Sequence, residues 1–479
     1  MLIPLHQLAI QHNEPDFNVC HDGQAFVTWR VWIARVRAQT AVLKSRTEQR
    51  WLLVNENPLD FAVLFFALLH ANKQVIIPAN GLPGTLSQLA GAYDAIVTES
   101  LPTHLDDDSN ALSALDVDAI SVVLYTSGST GMPKAVPKRL RQLEAELDVL
   151  EALWGSSIGQ STVIATVPHH HIYGLLFRVL WPLAARRVFD TVTCSHPDDI
   201  VVRIAMFDHT VLISSPSQLA RLPELATLTT LKSLPRMIFS SGGALSALAA
   251  TQLSQALGRA PTEVLGSTET GGIAWRCQTD TDAWAVLPGI HLQVETSALP
   301  SQPTLHSPFL FDEQAVLMDD LIECLPNQTF RLCGRADKVV KVEQKRLSLT
   351  ELEQVLMKHA CIAHVAALVV TTRRENVAVV AVLSTSGREM LLRDGRNALI
   401  KALRQYLTPY YESVLLPRYW RFVEAFPMNS VGKVTHAQMM ALFDNVTMKS
   451  TVESQVESEV ETQVESEAGS EVERKHVAA

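Results

Sequence analysis

Ten consecutive residues, Tyr125-Thr126-Ser127-Gly128-Ser129-Thr130-Gly131-Met132-Pro133-Lys134, combine two glycines, four aliphatic hydroxyls, a proline and a lysine. Glycines let a backbone turn tightly enough to aim its N–H groups at a phosphate. Hydroxyls add donors, and Lys134 adds a charge that can follow a departing phosphate. The stretch follows an apolar run, Ala119-Ile120-Ser121-Val122-Val123-Leu124, so strand-then-loop is the expected local structure. It is a phosphate cradle by chemistry, with a plain surface turn as the competing reading. It is not a Walker loop, because the Gly-x-x-x-x-Gly-Lys-Ser/Thr spacing is absent. Gly432-Lys433 also lacks a glycine five positions upstream, where Pro427 stands.

A second constellation is Val264-Leu265-Gly266-Ser267-Thr268-Glu269-Thr270-Gly271-Gly272. Read alone, its threonine and glutamate suit a helix N-terminus, where the hydroxyl caps and the carboxylate favours the dipole. Together with the 125–134 loop, it resembles the paired motifs of the acyl-adenylate-forming ligases. That superfamily includes acyl- and aryl-CoA synthetases, the adenylation domains of peptide synthetases, and luciferases. The resemblance covers roughly residues 20–440, with five motifs in the family's order.

The resemblance assigns roles residue by residue. Thr126, Ser127, Gly128, Ser129, Thr130, Gly131 and Lys134 are expected to cradle ATP. Thr268 is expected on the α-phosphate and Glu269 on Mg²⁺. Leu265 replaces the usual aromatic beside adenine, with Gly266 next to it. Gly334-Arg335-Ala336-Asp337 resembles the hinge motif, giving Arg335 to the nucleotide and Asp337 to the pivot. Counting back from that motif places Asp320 at the ribose hydroxyls, although Met318-Asp319 stands where the family has Thr-Gly, so Asp319 remains an alternative. Pro427-Met428-Asn429-Ser430-Val431-Gly432-Lys433 resembles the closing motif, which brings Lys433 to the substrate carboxylate and α-phosphate. Gln344 and Lys345 stand where a glycine usually lines the pantetheine tunnel.

The acid pocket is read from Pro168-His169-His170-His171-Ile172-Tyr173-Gly174, which resembles Pro-x-x-His-x-Tyr-Gly of acyl- and aryl-CoA ligases. His171, Tyr173 and Gly174 are therefore expected at the bound acid. Three adjacent histidines first suggest a metal. In extended backbone, however, consecutive side chains would point to opposite faces, and no cysteine or carboxylate cluster accompanies them. The Ser240–Ala244 stretch should form another wall, where small residues let a chain pass close to the backbone; the resemblance gives Ser241, Gly242 and Gly272 to the acid and Gly243 and Ala244 to the nucleotide. The Phe-Asp-x-Ser pattern that would bind an amino group is missing, which disfavours an amino-acid substrate.

The elements that must position these residues are legible in outline. At 479 residues, 47% hydrophobic and 19% charged, the chain is long enough for two or three domains. Short apolar runs at Trp51–Val54, Ala95–Val97, Thr162–Thr166, Val211–Ile213 and Arg236–Phe239 alternate with helical stretches. That rhythm predicts an α/β fold with largely parallel sheets. After about residue 284 the texture becomes β-rich, and at Gly334–Asp337 a compact α+β segment begins. The expected organisation is a large AMP-binding domain over 1–336, a small mobile lid domain over 337–445, and a tail over 446–479. In that tail Val452, Val456, Val460 and Val464 recur within Val-Glu-Ser-x units, a composition that reads as disorder, with a partner-induced helix as the alternative.

The net charge of −10 divides evenly between body and tail. From Lys449 onward eight glutamates face two lysines and one arginine, which gives −5. No basic patch interleaved with aromatics appears, so nucleic acid is not an expected partner. The most apolar window, Phe61–Leu69, is too short to cross a bilayer and suits a buried helix. Six scattered cysteines without a Cys-x-x-Cys pair, and no visible secretory signal, fit reduced thiols in a cytoplasmic protein.

The implied reaction joins a carboxylic acid to a thiol at the expense of ATP, with CoA or a phosphopantetheine-bearing acyl-carrier protein as acceptor. An aromatic acid (hydroxybenzoate- or cinnamate-like) or a short-to-medium acyl acid is expected. Two rivals remain at this level: a nucleotide-binding scaffold without catalysis, and a luciferase-like oxygenase.

Overall fold

The computed structural model describes residues 2–10, 16–102, 112–127, 133–225, 228, 231, 233–294, 300–312, 314–335, 339–342, 345–371, 375–411, 413–427 and 436–443. It divides into two compact units. One holds residues 1–318 and 323–332, the other 319–322 and 333 onward.

Local sequence explains the first elements of the larger unit. Asn57 accepts from the N–H groups of Leu59 and Asp60 and so starts the helix Pro58–His70, with proline at its first position. That helix is apolar all round and almost every residue in it is buried, as a helix enclosed on every side must be. It packs in a five-stranded sheet region ordered Ala95–Val97, Arg50–Leu53, Gln74–Ile77, Ile120–Ser127 and Pro133–Arg139. The first four strands run parallel, and Pro133–Arg139 returns antiparallel to close the row.

The second sheet has eleven strands among the described residues. Its centre is parallel, running Phe189–Thr193, Thr162–Ala165, Thr210–Ser214, Met237–Ser240 and Thr262–Ser267. Alternation sorts its side chains to two faces. Ile164, Leu212 and Ile238 meet Ile200, Ile204, Leu219, Leu222 and Leu253 on one side. Phe239 faces the other, its ring 5.0 Å from Trp154 and 5.2 Å from Phe177. Trp154 belongs to the long helix Leu140–Ile158, which Gln142 caps by accepting from the Arg139 N–H at 2.8 Å. Gly159, at φ +53°, ends it.

In the smaller unit, Ile362–Thr371 and Glu375–Leu383 form an antiparallel pair, and Tyr419–Val423 joins the second strand in parallel. Val377, Val379 and Ala381 face one apolar cluster while Ala378 and Val380 face another, so this sheet is covered on both sides. The helix Leu349–Met357 is capped by Ser348. The long segment Thr385–Leu407 is interrupted at Gly395, whose φ of +81° breaks the helical path.

Candidate active site

Parallel strands place their carboxyl ends along one edge of a sheet, and α/β proteins bind ligands beyond that edge. Here the edge gathers Thr166, Ser214, Ser240-Ser241-Gly242-Gly243-Ala244 and Leu265-Gly266-Ser267 from four strands in register. Gly242, Gly243 and Ala244 are exposed there, and Gly242 has a φ of +88° that favours glycine. Ser241 ties this segment to the next strand by donating to the Val264 carbonyl at 2.8 Å. Buried Glu263 braces the same junction. It accepts from the Leu245 N–H at 3.1 Å and pairs with Arg276 at 2.8 Å.

The Thr268–Glu269 segment is not a helix cap. It turns between two antiparallel strands, Thr262–Ser267 and Gly271–Cys277, with Ser267 opposite Gly271 and Gly266 opposite Gly272. Ser267 and Thr270 hydrogen-bond across the turn, hydroxyl to hydroxyl at 3.0 Å, and Gly271 completes it at φ +67°. Gly266 is required by packing, since a Cβ there would sit 2.4 Å from the Gly271 carbonyl oxygen. The helix reading fails because glycines follow the glutamate, and a strand pair supplies the hydrogen bonds a helix would have made.

The phosphate-loop segment meets this turn. Thr126 lies across from Lys134 in the strand pairing that flanks the loop. The Lys134 ammonium is 3.0 Å from the Glu269 carboxylate, both side chains remaining solvent-accessible at 61% and 39%. Partial burial pushes the Glu269 carboxyl up, but hydrogen bonds from Lys134, its own backbone and Ser267, with the Lys134 charge, together outweigh this and leave it below the ordinary range. Glu269 is thus an ionised carboxylate at a wet surface beside a cation, a donor suited to a hard divalent ion. Gly128, Ser129, Thr130 and Gly131 lie outside the described residues, as do Asp337 and Lys433; for Ser127 and Arg335 only the backbone is described.

The histidine segment forms a turn, not the extended backbone that separates neighbouring side chains. His169 is buried and its Nε2 meets the Asn55 carbonyl at 2.8 Å. Burial, helped by the nearby Arg178 charge, lowers its pKa to about 3, so this imidazole stays neutral. Arg178 itself is fully buried, donating to the Val167 and Thr191 carbonyls and the Thr193 hydroxyl. His170 and His171 have ring centroids 4.7 Å apart. The Tyr173 ring stacks at a tilt 4.8 Å from Phe177, and burial pushes its hydroxyl pKa well up. Gly174 has no room for any side chain, since a Cβ would lie 2.0 Å from the Pro168 carbonyl oxygen. Asp319 is exposed and Asp320 half-buried at the start of the strand Asp320–Leu325.

Three residues important to this geometry carry no motif. Lys138, Gln142 and Glu146 are buried polar side chains beneath the hairpin. The available signal was period two: Lys134, Val136 and Lys138 share one face of a strand, and a lysine on an inward face needs a partner.

Comparison with known proteins agrees with the fold. Residues 84–297 match the family profile described as AMP-binding enzyme. The chain is 23% identical to 4-chlorobenzoate–CoA ligase of Arthrobacter sp over 85% of its own length and 88% of that protein. Its fold matches ATP-bound MatB from Rhodopseudomonas palustris with a TM-score of 0.75 at 18% identity, covering 93% of this chain and 100% of that one. A benzoate CoA ligase from Burkholderia xenovorans LB400 matches with a TM-score of 0.71 at 18% identity, over 91% and 100%. Motifs, α/β architecture and the Lys134–Glu269 pair agree with these likenesses: residues 84–297 match the AMP-binding enzyme family, and the chain as a whole is similar to acyl-adenylate-forming ligases.

Proposed function

We propose that this protein is an ATP-dependent carboxylic acid–thiol ligase acting on an aromatic acid or a short-to-medium acyl acid. The observation that carries the proposal is the Lys134–Glu269 pair, which joins the phosphate-loop strand to the Thr268–Glu269 turn. In the first half-reaction a carboxylate oxygen attacks the α-phosphorus of ATP, and the bond to the bridging oxygen breaks to release pyrophosphate. Lys134 and the loop hold the phosphates while Thr268 steadies the α-phosphate. Glu269 would hold Mg²⁺, which supplies positive charge against that growing on the phosphates. In the second half-reaction a thiol sulfur attacks the acyl carbonyl and AMP leaves. Carboxylates are poor acyl donors, and adenylation makes AMP the leaving group.

The relatives named for 4-chlorobenzoate and benzoate support an aryl acid and CoA as acceptor. His171 and Tyr173 would orient that acid, with Ser241, Gly242 and Gly272 as the walls. Asp320 would grip the ribose hydroxyls, Arg335 would reach the nucleotide, and Leu265 would pack on adenine. Lys433 would arrive on the small domain over 337–445 for adenylation and withdraw about Asp337 for thiol entry. An acyl-carrier protein in place of CoA is the alternative acceptor.

Pyrophosphate exchange into ATP, run against a panel of benzoates, cinnamates and short acyl acids, tests the proposal. Acid-dependent exchange is expected; its absence with every acid overturns it.

A further inference from the structure

Beneath the exposed Lys134–Glu269 pair lies a second, buried set of polar side chains. Lys138, only 2% exposed, donates from Nζ to the Glu269 carbonyl and to the Phe309 carbonyl, each at 3.0 Å. Gln142 donates to the same Phe309 carbonyl at 3.2 Å. Glu146, 4% exposed and one helical turn further on, accepts from the Gly272 N–H at 2.7 Å. The turn from Glu269 to Gly272 is therefore held at both ends, its first carbonyl by a lysine and its last N–H by a carboxylate. The fit is close, for a Cβ on Gly271 would lie 2.6 Å from Glu146 Oε2 and 2.9 Å from Phe309 Cβ.

Burying two ionisable groups is costly, and replacing such groups by apolar ones of similar size is often neutral or stabilising. A fold needing only stability at this point had an apolar solution available. The polar groups do something apolar ones would not, which is to fix two specific backbone atoms. Lys134 and Lys138 belong to one strand, so that strand grips Glu269 twice, by its carboxylate and by its carbonyl.

We infer that Lys138 and Glu146 are positioning residues that hold the Glu269–Gly272 turn so that the Glu269 carboxylate stays registered against Lys134. This rests on the ligase reading for its activity readout, and a binding readout makes it separable. The lysine fixes the end of the turn that bears the acidic group. The glutamate fixes the end at Gly272.

The test uses the full chain carrying Lys138→Met together with Glu146→Leu, which removes both charges and keeps the volume. Expected are at least a tenfold fall in pyrophosphate-exchange kcat and at least a tenfold weaker Mg·ATP affinity by calorimetry, with the unfolding midpoint moved by only a few degrees. Glu146→Gln, which keeps an acceptor for the Gly272 N–H, should recover much of what Glu146→Leu loses. In a Glu269→Gln background the double variant should add little further loss, because the group being positioned is already gone. Wild-type kinetics and affinity in the double variant overturn the inference. So does a loss that multiplies in full with that of Glu269→Gln, which would mark the two residues as general scaffolding. If the wild type shows no exchange with any acid, the ligase reading fails, and the calorimetric comparison still decides the positioning role.

Discussion

Two lysines four residues apart on one strand behave as opposites. Lys134 is largely in water and pairs with a carboxylate that is itself accessible. Lys138 is enclosed and spends its charge on two backbone carbonyls. An exposed pair is worth at most about 1 kcal/mol to stability, because solvent screens it and long side chains lose entropy in forming it. It can therefore open for an incoming phosphate at little cost. A buried lysine has no such freedom, and its hydrogen bonds set where the backbone goes. Accessible charge and buried charge are thus separated by depth along one face of a single strand.

Substitutions on the two sides of this divide should fail in different ways. Lys138→Met alone leaves the Glu269 carbonyl without its buried donor and should cost roughly 1–3 kcal/mol of stability, seen as a lowered denaturant midpoint. A midpoint equal to wild type would show that the buried lysine is not structurally committed. Glu269→Gln should do the reverse, lowering exchange by roughly a hundredfold or more, by analogy with loss of one transition-state electrostatic contact. Its unfolding midpoint should stay close to that of the wild type, and a large shift would erase the contrast. Lys433→Ala should reduce adenylation on a similar scale, yet leave thiol capture of supplied acyl-AMP largely intact. Equal loss in both half-reactions would take Lys433 out of the proposed role.

The acidic side of the comparison also has a sign. Glu269 titrates below the ordinary range, so the stability its ion pair contributes is present above the unfolded carboxyl pKa of about 4.3 and fades as pH falls through its folded value. Buried imidazoles act over a higher window. His169 and His70 have pKa values lowered by burial to about 3 and about 4, so the unfolded chain takes up protons first as pH falls below about 6.5. Unfolding free energy should then decline by up to about 1.4 kcal/mol per pH unit for each histidine. Denaturant titrations at pH 7, 6 and 5 read this directly, and His169→Phe should flatten the slope. The smallest expected effect is Lys134→Ala on stability, about 1 kcal/mol or less.

Much of this site was legible from residue types. The strand before the phosphate loop, the parallel α/β rhythm, the hairpin's glycines and the glutamate all stood out because each is a local pattern. The histidine run suggests extended backbone in sequence and is a turn in the structure, leading into the short helix from Ile172. The Thr268–Glu269 segment by itself suggested a helix start, and strand pairing between Thr262–Ser267 and Gly271–Cys277 decided otherwise. Lys138, Gln142 and Glu146 belong to no motif. An isolated lysine or glutamate in sequence carries no sign of whether it will face water or the interior.

By itself the sequence determined the kinds of groups available, the order of the elements and the turns that glycine alone permits, because these depend on near neighbours. Only the tertiary structure decided that Lys134 meets Glu269, that Glu146 reaches the Gly272 N–H, and which of two similar lysines is buried. Those outcomes depend on contacts between strands and a helix far apart in the chain. Burial and distance, which set the strength of every charge interaction, exist only once those segments have packed.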